Sequence, residues 1–165
     1  MNNSNDKEFR RSRLNIFLGD FYEARRFANY IVNRNLHKPN DRESMTGLKH
    51  LAFNTSLIVS YCRPFHGSND QDGKPRVKLG KTDVAAVLDA RESELHNSIF
   101  DKRDRAFAHS DSIAHEIQGW DYSGRAVMLY KFGREPLTKQ ETQTLRRMIR
   151  KWIKHLEELR ENSRQ

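Results

Sequence analysis

Apolar residues recur every three to four positions along most of the chain, which predicts a series of amphipathic helices. The first predicted helix is about 20 residues long, has a single apolar face and ends before Pro39. The second covers about residues 42–62 and is apolar on two sides, which is typical of the central helix of a bundle, and Pro64 follows its end. Ahead of both, residues 1–8 are polar and charged, which predicts a disordered lead.

The third predicted helix covers residues 88–108, with a break near Ala90, and its apolar positions form a narrow stripe. Either Thr82 or Asp83 is suited to cap the chain ahead of it. The connection that precedes this region, residues 66–76, is polar and contains glycine and proline. We therefore expect an exposed loop there.

Two elements of different kinds are predicted after the third helix. Residues 113–120 and 125–132 show the composition and alternation of a short β-hairpin. Thr138 and Glu141 then have the spacing of a capping box ahead of a last helix, which is apolar on one face and basic on the other. Together, these patterns predict a mainly α fold: an up-and-down bundle of four to five helices with a short β-hairpin before the C-terminal helix. Residues 9–165 are expected to form one domain.

Composition narrows the class of protein. With 36% hydrophobic residues in 165, the helices can bury single stripes, and dimerisation would complete that burial. The formal net charge of +8 favours a polyanionic partner, which is compatible with RNA, DNA or an acidic protein. The single cysteine, Cys62, excludes an intrachain disulfide framework, and no apolar run approaches the ~18 residues of a membrane span. Because residues 1–8 also lack the core of a signal peptide, we expect a cytoplasmic protein.

Arg103, Asp104 and His109 form the most chemically distinctive pattern in the sequence. An arginine is followed at once by a short polar residue and, after five intervening positions, by a histidine. On the predicted third helix, Arg103 and His109 lie on opposite sides of the apolar stripe, at the border of the core. Groups at such a border are partly desolvated and face whatever docks there.

This pattern resembles the R-x(4–6)-H motif of the HEPN superfamily. The helix-ending segment at residues 106–111, Ala-Phe-Ala-His-Ser-Asp, fits the resemblance, as do Ser-Tyr-Cys-Arg-Pro-Phe at residues 60–65 and Leu-His at 95–96. The resemblance covers about residues 45–111. Two other segments, residues 91–96 and 150–155, also match R-x4-H, but only Arg103 is followed by the short polar residue that the family favours.

The resemblance implies a metal-independent endoribonuclease that acts as a homodimer, with motifs from two protomers in one cleft and no cofactor. The residue types suit that chemistry: His109 is predicted to act as base or acid, Arg103 to stabilise the phosphate, and Asp104 to orient the arginine or the partner histidine. No set of convergent carboxylates that could hold metals is predicted near Arg103. The residues predicted to contact RNA are Lys102, Arg105, Ser110 and Arg63.

Several alternatives stay open at this point. The resemblance also covers non-catalytic dimerisation or nucleic-acid-binding modules, and it implies a toxin or phage-defence effector, with an antitoxin or regulatory protein as a candidate partner. A helical DNA-binding protein is supported only by the charge and the basic last helix, without a helix-turn-helix signature. In a purely structural interpretation, His109 is a helix-terminal histidine, Arg103 is an ion-pair partner, and the basic face of the last helix is exposed to solvent.

Overall fold

The computed structural model of the protein describes residues 3–37, 44–66, 78–104, 115–122, 125–132 and 136–162, with side chains from residue 11 onward and outside the strands. This part of the chain is mainly helical, as a helical bundle requires. In chain order its elements are α1 (Asn3–Asn33), α2 (Met45–Cys62), a 3-10 turn (Arg63–Phe65), α3 (Lys81–Val87), α4 (Ala90–Lys102), β1 (His115–Tyr122), β2 (Arg125–Phe132) and α5 (Lys139–Asn162).

Helix α1, rather than α2, is the centre of the helical packing. In the described part of the chain, the contacts of α1 with α2 and with α5 are the most extensive between any two helices. Phe21, Ala24 and Ala28 on this helix are fully buried, and the small alanines let neighbouring helices approach closely. The prediction that α2 would be central was wrong because part of its apolar surface is not covered: Met45 is 67% exposed and Leu48 is 51% exposed.

Helix α1 is also longer at its start than the sequence pattern predicts. It begins at Asn3, so most of the segment expected to be a disordered lead has helical backbone. No proline or glycine precedes Gly19, and the charged residues of this segment are compatible with a helix. Low hydrophobicity therefore did not prevent the helix from extending beyond its apolar face.

The end of α1 is formed by a local backbone motif. Asn35 adopts a positive φ of 51°, the left-handed conformation that commonly ends helices. Its N–H donates to the carbonyl of Val32 at 3.1 Å, and the N–H of Leu36 donates to the carbonyl of Ile31 at 3.1 Å. Leu36 is buried after this turn, so the chain leaves the helix while remaining attached to the core.

Aromatic residues connect α1, the end of α2 and α5. Phe21 stacks on Trp152 with ring centroids 5.7 Å apart, and it meets the edge of Tyr61 at 5.9 Å. Phe65, in the 3-10 turn, packs against Trp152 at 5.1 Å. The turn is therefore anchored in the core by its own aromatic side chain, which fixes where the chain leaves α2.

Helix α5 matches its sequence prediction closely. The N–H of Glu141 donates to the hydroxyl oxygen of Thr138 at 3.2 Å, and the carboxylate of Glu141 accepts from the N–H of Thr138 at 2.6 Å, which confirms the capping box. The apolar face is buried as predicted except at Leu159, which is 38% exposed. Its buried apolar residues are Leu145, Met148, Ile149, Trp152, Ile153 and Leu156.

The predicted third helix begins at Ala90 rather than at Leu88, and a separate short helix that was not predicted precedes it. Helix α3 ends at Val87, and α4 begins at Ala90 after Asp89 has capped it. The carboxylate of Asp89 accepts from the N–H of Glu92 at 2.8 Å, and the carboxylate of Glu92 accepts from the N–H of Asp89 at 3.2 Å. The helix therefore starts close to the predicted break at Ala90. The prediction that Thr82 or Asp83 would cap it was wrong, because Asp89 is the cap. Asp83 lies inside α3 instead, where its carboxylate accepts from the Gly80 N–H at 2.7 Å.

The backbone between α4 and α5 contains two paired strands. β1 and β2 are antiparallel, with His115 opposite Phe132 and Tyr122 opposite Arg125 at the two ends of the ladder. Asp121 and Tyr122 belong to the first strand, whereas the sequence pattern assigned them to the connection. The pairing therefore extends two residues beyond the predicted end of the first strand.

Candidate active site

Arg103 and Asp104 directly follow the last residue of α4. Arg103 has helical backbone angles, and its N–H donates to the carbonyls of Ile99 and Phe100, so the helix fixes its position. Its guanidinium Nη1 donates to Asp104 Oδ1 at 2.7 Å. The Arg103 side chain is 22% exposed and that of Asp104 is 51% exposed. The first two residues of the predicted motif thus form an ion pair at the surface, held at the end of a rigid element.

His66 completes a cluster with this pair, and the sequence pattern did not identify it. Its Nε2 lies 3.7 Å from Asp104 Oδ1, and its side chain is 41% exposed. His66 directly follows the 3-10 turn, so the buried Phe65 holds it beside the end of α4. We expected an exposed loop to begin at this residue, and no sequence signal connects His66 with a residue 38 positions later.

Burial, more than the neighbouring charges, sets the protonation state of His66. Partial burial lowers the pKa of His66 below its ordinary value, the neighbouring Arg103 lowers it further, and Asp104 opposes both effects. The imidazole is therefore neutral at pH 7 and can accept a proton. We call Arg103, Asp104 and His66 the surface cluster.

Cys62, the last residue of α2, lies close enough to the surface cluster to be influenced electrostatically by it. Burial raises the pKa of the Cys62 thiol to about 12, with Arg103 opposing this shift and Asp104 adding to it. Cys62 is therefore a thiol rather than a thiolate at neutral pH, and it is not a nucleophile. Its position shows that the end of α2 lies beside the end of α4.

The other predicted site residues have different positions. Arg63 contacts α1 instead of the surface cluster: its Nη1 donates to Glu23 at 2.9 Å and lies 3.4 Å from Asp20. Lys102 is the last residue of α4 and is partly exposed next to Arg103. The remaining predicted residues lie outside the described part of the chain, so their roles stay predictions; they are Arg105, His109 and Ser110.

The two competing motif matches place their histidines in packed surroundings. His96 is only 7% exposed, and its Nδ1 lies 2.9 Å from the hydroxyl oxygen of Tyr61. Burial lowers the pKa of His96 to about 4, so it is neutral at physiological pH. His155 is partly buried and meets the edge of Trp152 at 6.1 Å. His96 is therefore not placed as a free acid or base at the surface.

An open cleft of about 700 Å³ lies next to the surface cluster. Phe65 and Phe100 contribute aromatic walls, and His96 and Asn97 contribute polar groups. The ring of Phe100 also contacts that of His66, with centroids 5.8 Å apart. Phe100 therefore lines the cleft and also contacts His66 of the surface cluster.

No family model, no characterised protein and no solved structure matches this chain. Among the described helices, none has the length and apolar character needed to cross a bilayer. Within the described residues, no three histidine, cysteine or acidic side chains come together as a group that could hold a metal ion. Function has to be inferred from the chemistry of the surface cluster and the cleft.

Proposed function

We propose that the protein is a metal-independent endoribonuclease of HEPN type that acts as a homodimer with a composite active site. The observation that carries this proposal is the surface cluster, in which a guanidinium, a carboxylate and a neutral imidazole are joined by contacts of 2.7 and 3.7 Å at the start of the R-x5-H motif. The guanidinium and the imidazole are two of the groups that RNA cleavage by its own 2′-hydroxyl requires, and the carboxylate can orient them.

The reaction has three requirements. A base removes the proton from the 2′-hydroxyl as the 2′-oxygen attacks phosphorus, a cation stabilises the negative charge of the five-coordinate phosphate, and an acid gives a proton to the departing 5′-oxygen. The products are a 2′,3′-cyclic phosphate and a free 5′-hydroxyl. The reaction involves no oxidation or reduction, and an imidazole can carry each proton that is removed or added.

Arg103 suits the second requirement. One of its guanidinium nitrogens donates to Asp104, which fixes the plane of the fork. The remaining N–H groups are left for phosphate oxygens, and the guanidinium keeps its charge throughout the pH range of the reaction. In this proposal Asp104 orients Arg103, the role that the sequence pattern predicts for it, and the contact of 2.7 Å supports it.

The first and third requirements need two imidazoles. In the composite site, His109 of each protomer would provide one, as the family resemblance implies. His66 adds a neutral imidazole beside Asp104 in the same protomer, suited to accept the 2′-hydroxyl proton. A symmetric dimer would thus bring together two arginines and several histidines around one phosphate.

A dimer interface formed by α4 would be mainly polar. The large apolar side chains most exposed in the described chain lie on other helices: Ile16, Tyr22, Tyr30, Met45, Leu48 and Leu159. A polar interface depends on charge pairing and bound phosphate more than on apolar burial. We therefore expect that RNA strengthens the dimer and that salt weakens it.

Cleavage assays with the purified protein test the proposal directly. We expect RNA to be cut in excess EDTA, with 2′,3′-cyclic phosphate ends, and a substrate with 2′-deoxyribose at the cleaved position to stay intact. His109→Ala should abolish cutting, while His155→Ala should retain it. Loss of activity in EDTA, or equal cleavage of the deoxy substrate, would show that the mechanism is wrong.

A non-catalytic dimerisation or nucleic-acid-binding module is the second candidate. It is favoured by the low exposure of Arg103, 22%, and by its existing partner Asp104, since both reduce the availability of the guanidinium for phosphate. A dimer that binds RNA but cuts no sequence offered, with or without divalent metal, would establish this candidate instead.

The proposed ribonuclease activity extends to a role as a toxin or phage-defence effector restrained by an antitoxin or regulatory protein. The high positive charge of the chain, +8, would favour an acidic partner that covers the same surface as RNA. Expression of the wild-type chain should then arrest growth, and expression of His109→Ala at the same level should not. Equal growth of the two strains would argue against this role.

A further inference from the structure

The cleft beside the surface cluster has the size and composition of a site for a small planar ligand. Its volume of about 700 Å³ falls within the usual range of ligand pockets, ~300–1,000 Å³. The apolar part of its lining includes Phe65, Phe100 and Leu79, and Phe100 is only partly buried. An aromatic wall that is partly open to solvent can pack against a flat ring.

His96 supplies a directed hydrogen-bond donor to this cleft. Tyr61 is fully buried, and burial raises the pKa of its hydroxyl well above the ordinary value, so the oxygen keeps its hydrogen. A buried O–H needs an acceptor, and Nδ1 of His96 lies 2.9 Å away. With Nδ1 as acceptor, the hydrogen of the neutral imidazole is on Nε2. The tautomer assigned in this way leaves Nε2–H available to a ligand.

The other polar groups of the lining offer both donors and acceptors. Asn97, which is exposed on α4, has an amide that can donate and accept at once, and Ser93 contributes a hydroxyl one turn earlier. Lys78 and Lys81 are exposed at the same cleft and bring positive charge, while Asp101 adds an acceptor. A ligand that fits these groups is flat, has a mixed hydrogen-bonding edge and carries negative charge outside the ring.

We propose that the cleft binds one unpaired nucleobase of the RNA, packed against Phe100 with its polar edge on His96 and Asn97. This inference rests on the proposed function, because it takes RNA as the substrate. The backbone of the same nucleotide would then run past Lys78 toward Arg103, so that the bound base places the neighbouring phosphate at the surface cluster. Unpaired bases are the parts of RNA that proteins read by stacking and edge contacts, since paired bases hide both.

This placement makes the cleft the determinant of where the RNA is cut. A base held in the cleft would position one phosphodiester beside Arg103, and a base that fits poorly would leave the phosphate misplaced. The protein should therefore cut in loops or single strands, next to a preferred base. A free mononucleotide presents the same chemistry, so the test has to separate a base within RNA from a free nucleotide.

The test uses short RNAs that differ only in one unpaired base, with an abasic residue as the fifth member of the series. Each is prepared with 2′-deoxyribose at the cleaved position, so that binding is measured by fluorescence anisotropy without cleavage. For the wild-type dimer we expect binding to the abasic RNA to be about tenfold weaker than to the preferred base. Asn97→Leu should reduce the preference among the four bases to less than about twofold, while stacking on Phe100 keeps all four above the abasic RNA.

The matched control is Asn33→Leu, the same substitution at an exposed asparagine at the end of α1, which should keep the full preference. The ribo versions of the same RNAs should show the same base preference in cleavage rate. Binding is measured independently of cleavage. A protein that cuts no RNA would overturn the proposed function, whereas the binding series alone tests whether the cleft binds a base.

Three results would overturn the base-binding proposal. The first is equal binding of all five RNAs by the wild type, and the second is an Asn97→Leu variant that discriminates as well as the wild type. The third comes from nucleoside monophosphates measured by calorimetry. If a free nucleotide binds more tightly than RNA containing the same base, and Asn97→Leu removes that binding, the cleft is a nucleotide effector site instead.

Discussion

The first turn of α4 and the residues just after its end each carry an ion pair of similar length in very different settings. Glu92 is buried, with 7% exposure, and its carboxylate accepts from Lys151 on α5 at 2.6 Å. Asp104 is half exposed and accepts from Arg103, its neighbour in sequence, at 2.7 Å. The first pair joins two helices that are distant in the chain, whereas the second joins no separate elements.

This difference indicates that the pair at the N-terminal end of α4 stabilises the fold, whereas the pair just after its C-terminal end contributes little to it. A buried carboxylate is costly without a partner, so the contact between Glu92 and Lys151 fixes how α4 docks on α5. An exposed pair of adjacent residues contributes little to folding, which leaves Arg103 and Asp104 free to be selected for another purpose. His66 beside Asp104 is consistent with that purpose.

The largest expected effect is on activity at the C-terminal end of α4. Arg103→Lys keeps the positive charge but loses the planar fork, so we expect the rate of RNA cleavage to fall by about 10²–10³-fold. RNA affinity should change by less than about threefold, because other basic residues hold the backbone. Single-turnover kinetics and anisotropy measure the two quantities on the same samples. An equal loss of rate and affinity would mean that Arg103 only binds.

The next largest effect is on stability at the N-terminal end. Lys151→Met keeps the length and apolar stem of the side chain but leaves the buried carboxylate of Glu92 without its cation, so we expect a loss of about 2 kcal/mol in the free energy of unfolding. This value is below that for a fully buried pair because Lys151 is 46% exposed. Urea denaturation at neutral pH gives the measurement.

Lys154→Met is the matched control on the same helix. Lys154 is 81% exposed and pairs with Glu158 at 3.8 Å, so its removal should change the free energy of unfolding by less than about 0.5 kcal/mol. If the two lysine variants are equally stable, the pair between α4 and α5 has no special structural role.

These two ends also show what could be read from the sequence. The capping box of α5 and its buried face were predictable because both depend on residues a few positions apart. The cap of α4 had the same kind of signal, since Asp89 and Glu92 have capping-box spacing. The apolar pattern starts one residue earlier, at Leu88, so the predicted helix began before its actual cap. The central position of α1 was not predictable from the number of apolar positions, because periodicity does not say which neighbours cover a face.

The proximity of His66 to Asp104 could not be predicted for a different reason. The contact depends on how the 3-10 turn packs between the core and the end of α4, which is set by aromatic contacts from three helices. The local pattern selects Arg103 and Asp104 and predicts Arg103 at the border of the core, where the structure leaves its side chain 22% exposed. The third member of the cluster required the tertiary structure.

A pH-dependent loss of stability is expected from the buried histidine in the middle of α4. The folded-state pKa of His96, about 4, lies below the ordinary value of ~6.5, so the unfolded chain binds a proton that the folded chain excludes. Its contribution is fully present above pH 6.5 and is lost as the pH falls toward 4. At pH 5 the loss should be about 2 kcal/mol relative to pH 7.

His96→Gln tests this origin, because glutamine does not titrate and its side-chain oxygen can still accept from Tyr61. The unfolding free energy of the wild type should fall by about 2 kcal/mol more between pH 7 and pH 5 than that of the variant. His37 and His50, whose pKa values are also lowered by burial, will leave a smaller slope in the same direction. An unchanged slope in His96→Gln would place the titrating group elsewhere.

The smallest expected effect lies within the surface cluster itself. Because Asp104 raises the pKa of His66 and Arg103 lowers it, Asp104→Asn should lower the pKa of His66 and Arg103→Gln should raise it. Titration of the His66 ring protons by NMR in the three proteins gives the values. The unfolding free energy of Asp104→Asn should stay within about 0.5 kcal/mol of the wild type. Shifts of the same sign in both variants would contradict the electrostatic effects of Arg103 and Asp104 on His66. A stability loss in Asp104→Asn as large as that of Lys151→Met would mean that this end of α4 also serves mainly to hold the fold together.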